Sequence, residues 1–104
     1  MKGEVHVHTQ KTRRYAEMYR AWYKSDHDTL IVRCVTSDIL KHAGHAARRF
    51  RENNELQGYM SISKYDGDLY LMKIGNQKYA MEAFPNEDGW IFYYDTDKEI
   101  MKDD

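Results

Sequence analysis

Hydrophobic and polar positions along this chain change period four times, and each change predicts an element. Val5 and Val7 alternate with Glu4, His6 and His8, the period of two that marks a strand with one buried face. Tyr15, Met18, Tyr19 and Trp22 then recur at i, i+3, i+4 and i+7, an apolar stripe predicting a helix over residues 12–25. The segment 29–36 is apolar on both faces apart from Arg33, as an interior strand requires. A strand, a helix and a strand in that order invite a right-handed parallel crossover.

Ser37 or Asp38 is placed to cap a second helix, in which Ile39, Leu40, Ala43, Ala46, Ala47 and Phe50 share one sector. Gly44 interrupts it at a cost of about 1 kcal/mol relative to Ala, suggesting a close backbone approach. Asn53-Asn54 ends it. From Gln57 onward the pattern predicts a meander. Turns at Asp66-Gly67, Gly75-Asn76 and Pro85 to Gly89 separate strands near 57–65, 68–74, 77–84 and 90–95. Thr96-Asp97-Lys98-Glu99 has capping-box spacing and predicts the start of a short final helix. The sum is one α+β domain over residues 1–104, with two principal helices on one face of a mostly antiparallel sheet of about six strands.

At 104 residues the chain is long enough for one core and too short for two domains. Its longest uncharged apolar run, Trp90 to Tyr94, is far below the roughly 20 residues of a membrane helix. A lone cysteine, Cys34, excludes an intrachain disulfide framework and suits a reducing, cytoplasmic setting.

The near-neutral total charge of −1 hides two opposite halves. Residues 1–52 hold 11 Lys and Arg against 6 Asp and Glu, with all five histidines, whereas residues 53–104 hold 5 against 11. Such segregation predicts an electropositive surface on the first half, open to a nucleic acid or an acidic protein. On the second helix Lys41, His45, Arg48 and Arg49, with Arg51 at the flank, place cations along about three turns, a spacing that can follow phosphates. Arg13, Arg14 and Arg20 extend this candidate surface. The plain alternative is a solvated helix face. The sequence therefore points to a non-enzymatic binding protein that takes nucleic acid, RNA somewhat ahead of DNA, with no membrane partner.

A rival reading is a small inhibitor or adaptor, of the kind viruses direct at host proteins, using the acidic edge or an aromatic sheet face. His6 and His8 at i and i+2 raise a third, a metal site or a histidine-dependent nuclease with Arg33 holding phosphate, if the first two strands are neighbours. There is no HExxH, no paired Cys, no Gly-rich phosphate loop and no RNA-recognition-motif consensus, so no catalytic residue, cofactor or metal is assigned. A sheet face mixing rings and cations suits base stacking. Residues 69–74, apolar on both sides, equally suit a homodimer.

Overall fold

The computed structural model describes the backbone of residues 8–75 and 79–99, and the side chains of residues 10–75 and 79–94. The elements run β1(His8–Thr12), α1(Tyr15–Lys24), β2(Thr29–Val32), α2(Ser37–Asn53), β3(Met60–Tyr65), β4(Asp68–Lys73), β5(Tyr79–Pro85) and β6(Ile91–Glu99). All six strands join one sheet in the order β1-β6-β5-β2-β4-β3, antiparallel throughout except for the parallel β2–β5 pair. The α+β class, the two helices and the strand count agree with the sequence pattern.

Strand directions around the sheet make β1, β2 and β3 parallel to one another, though none touches another. Each of the connections β1-α1-β2 and β2-α2-β3 is thus a crossover with other strands inserted between its ends. Both advance the chain the same way across the sheet, so at a common hand both helices fall on the same face. The core lies between the layers. Met18, Tyr19 and Trp22 of α1 and Ala43, Ala47 and Phe50 of α2 meet Leu30, Val32, Met60, Leu69, Leu71, Met81, Ala83, Ile91 and Tyr93 of the sheet. Every residue of β2 is buried, as its apolar faces on both sides demanded.

Local chemistry sets most boundaries. Asp66 and Gly67 both take positive φ, 53° and 85°, the geometry of a two-residue hairpin turn whose twist suits the flanking strands. Asn86 organises the β5–β6 turn by accepting from the backbone N–H of both Asp88 and Trp90 through its side-chain oxygen. The α2 cap is one residue earlier than expected: Thr36 accepts from the N–H of Ile39, at 3.1 Å. At the other end the Leu56 N–H reaches the Arg51 carbonyl and the Glu55 N–H reaches Glu52. This is a Schellman closure with Glu55 left-handed at φ 54°.

Three expectations change. The meander is interrupted, because β4 and β5 are not paired with each other: both bond to β2, which stands between them. Asn76 of the expected turn there lies outside the described residues. The short final helix gives way to strand, since β6 continues to Glu99, which pairs with Tyr79. Pairing along β5 outweighs a local capping signal. Finally, β1 and β2 are separated by β6 and β5 rather than adjacent. Glu4 and His6 of the expected first strand lie outside the described residues.

Among the described residues, no helix is long and apolar enough to cross a membrane.

Candidate nucleic-acid interface

Helix α2 turns Ala43, Gly44, Ala47 and Phe50 inward, which leaves Lys41, His45, Arg48 and Arg49 on its outer face. All four are exposed, and none makes an ion pair with a described residue. Lys41 and Arg49 stand eight positions apart, about 12 Å along the axis. Asp38 and Glu52 stand exposed near the two ends of the helix, so its positive stretch is confined to the middle turns.

Gly44 shapes this surface from within the helix. A methyl group built on it would lie 3.7 Å from Nη1 of Arg48, 3.9 Å from Cε of Lys64 and 4.0 Å from Leu69. These are ordinary contact distances, so the glycine is not forced by a backbone clash. It does leave a shallow saddle where Arg48 of α2 and Lys64 of edge strand β3 come together. Lys64 thereby joins the cationic face, a member the sequence reading missed because the register of β3 against α2 was not visible.

The remaining predicted cations divide. The Nε of Arg51 is buried, so this side chain runs partly inward instead of extending the exposed row. Arg20 lines a groove of about 390 Å³ with Tyr23, Lys24, Phe50, Asn54 and Leu56, beside the C-terminal end of α2. Arg14 is exposed at the start of α1, where its N–H is held by Thr12 Oγ1 at 3.1 Å. That same hydroxyl donates to Glu17, fixing the first turn of α1. Arg13 lies elsewhere, with its guanidinium 4.2 Å from the ring of Trp90.

Arg33 is committed to structure. It contacts Asp68 at 3.1 Å and Glu82 at 2.7 Å, joining β2 to both its neighbours on the face away from the helices. Hydrogen bonding to Glu82, then to Asp68, holds its pKa above the usual arginine range. Both carboxylates engage Arg33, and β6 and β5 stand between β1 and β2. His8 opens β1, and His6 lies outside the described residues. Among the described residues no three His, Cys, Asp or Glu side chains gather as metal ligands. Burial pushes the Cys34 thiol up to about 11, so it is a poor nucleophile near neutrality.

Beside the N-terminal end of α2, a cleft of about 410 Å³ is lined by Tyr15, Thr36, Asp38, Ile39, His42, Asn86, Glu87 and Gly89. Its carboxylates, Asp38 and Glu87, come from opposite halves of the sequence. The acidic β5–β6 turn therefore adjoins the N-terminal end of the basic helix. No family model, curated protein or solved structure matches this chain.

Proposed function

We propose that this protein binds nucleic acid, RNA ahead of DNA, by laying the outer face of α2 along the phosphate backbone. The observation that carries the reading is the row Lys41, His45, Arg48 and Arg49, joined by Lys64, all exposed and none paired with a described acid. Arginine adds bidentate phosphate contacts that lysine cannot make. RNA is preferred because α1 and α2 are joined through strand β2, not by the tight turn of a major-groove reader. A half-buried, lone Cys34 suits work in a reducing cytoplasm.

Fluorescence anisotropy against single-stranded RNA, double-stranded RNA and duplex DNA, each across a salt series, tests this. Lys41, Arg48, Arg49 and Lys64 contacting four phosphates would give a slope of log K against log salt of roughly −3. Arg48→Glu with Arg49→Glu removes duplex binding while the circular-dichroism melt stays put. Retained duplex binding in that variant takes α2 out of the site, and absence of duplex binding at low salt ends the reading.

A second reading, an inhibitor or adaptor for a host protein, draws on the cleft lined by Asp38 and Glu87, which suits a basic segment of a partner. It requires no affinity for nucleic acid at physiological salt.

A further inference from the structure

We infer that the sheet face opposite the helices is a stacking surface for the bases of single-stranded nucleic acid, independent of the α2 face. Ile91 and Tyr93 of β6 point into the core, so Trp90, Phe92 and Tyr94 share the other side, with about 6.8 Å between successive positions. Phe84 of β5 stands opposite Phe92, and its ring centroid is 5.4 Å from that of Tyr94. All four rings are half-buried, and among the described residues no helix packs over them. Lys11 of β1 also stands opposite Phe92, with its Nζ 5.0 Å from the Trp90 ring, and the Arg13 guanidinium lies 4.2 Å from that ring.

The distribution of charge selects the occupant. Lys11 and Arg13 border the ring ladder on one side, are exposed, and make no ion pair with a described residue. Across the ladder Arg33 already holds Glu82 and Asp68. A second copy of the chain pressed on this face would dehydrate that three-charge network and the two cations beside Trp90, whereas protein interface cores are depleted of charge. A single strand keeps its phosphates over Lys11 and Arg13 and lays its bases on the rings, leaving the charges hydrated. Base–aromatic stacking tolerates any sequence because every base has a π-face.

The chain has two tryptophans, and Trp22 is fully buried on the helix side, so fluorescence quenching by a ligand on this face reports Trp90. Titration with a 12-residue oligouridylate is expected to quench wild-type emission, and Trp90→Phe to abolish the quench. Phe92→Leu with Tyr94→Leu should weaken single-strand binding by roughly fivefold or more, from the worth of one lost stack, and leave an RNA duplex of equal length unaffected. Phe84→Leu, at the same surface, serves if the double variant melts early. Arg48→Glu with Arg49→Glu keeps the quench.

Oligouridylate bound without quenching, or unchanged affinity in the ring variants, overturns this inference. So does sedimentation showing a dimer that the ring variants dissociate. Duplex binding without single-strand binding removes this face and spares α2; the reverse removes α2 and spares this face.

Discussion

The hydroxyl of Tyr19 on α1 donates to the carbonyl of Ala43 on α2 at 2.8 Å, and both residues are fully buried. It is a polar tie across an otherwise apolar helix–helix seam, with the Tyr19 ring 5.9 Å from Phe50. Tyr19→Phe keeps the ring and deletes the donor. The Ala43 carbonyl retains its partner within the helix, so the loss should be about 1 kcal/mol rather than the larger cost of an orphaned group. Urea denaturation should show a lower midpoint with an unchanged slope.

Two positions, one within α2 and one just past its end, depart from backbone preference in opposite ways. Gly44 has helical neighbours and room for a methyl at ordinary contact distance, so Gly44→Ala should stabilise by about 0.5–1 kcal/mol. Glu55 closes the helix with φ 54°, where glycine carries no steric penalty, and Glu55→Gly should gain a comparable amount. The two sites share no partner, so the effects should add in the double variant. A thermal melt of all three variants checks both gains and their sum. A loss for Gly44→Ala would mean that Arg48 and Lys64 cannot yield the saddle.

Much of this architecture was legible because it is set by local periodicity. The α1 stripe from Tyr15 to Trp22, the inward row of α2 and the Asp66-Gly67 turn each follow from residues within a few positions of one another. The position of β2 between β4 and β5 does not. Gly75 reads as a hairpin signal, and only the burial of both faces of β2 shows that it needs a neighbour on each edge. The α2 cations were visible for the same local reason that Lys64 was not: Lys64 reaches them through the pairing of β3 with β4. Arg51, expected at the flank of that face, buries its Nε, because an arginine at the border of a helical face can turn its stem inward. The run Trp90 to Tyr94 reads as uniformly apolar until β6 is paired, when its alternate rings separate to opposite faces.

The network around Arg33 should be unequal in its parts. Asp68 accepts both from Arg33 and, through Oδ1 at 3.0 Å, from the backbone N–H of Cys34, so it fixes the chain just beyond β2. Among the described residues Glu82 receives only Arg33, through two nitrogens. Asp68→Ala should cost about 2 kcal/mol and Glu82→Ala about 1 kcal/mol, because only the first strips a backbone donor as well as a charge partner. Arg33→Met combined with each isolates the pairwise part. If Glu82→Ala proves the costlier, the Cys34 bond is not what distinguishes them.

Alkaline pH should unfold this protein through groups that burial holds protonated. Burial raises Cys34 from an ordinary 9 to about 11 and Tyr15 from 10 to about 12, each with a smaller charge contribution, and it also raises Tyr19 well above its ordinary value. Each loses its proton more readily in the unfolded chain. Above the unfolded values the native state therefore binds more protons, and stability falls as pH rises. Lys73 acts in the opposite sense. Desolvation lowers its pKa, against the pull of Asp28 and Asp26, so the unfolded chain binds its proton more tightly and stability gains as pH rises toward 10.5. Three groups against one leave a net loss that begins near pH 9 with Cys34 and steepens above pH 10. Melting temperatures measured from pH 7 to 11 should be flat at first and then fall. Cys34→Ala should delay the onset, and Tyr15→Phe should make the later fall shallower. A wild-type profile flat to pH 11 would mean these groups ionise in the folded protein as easily as in water.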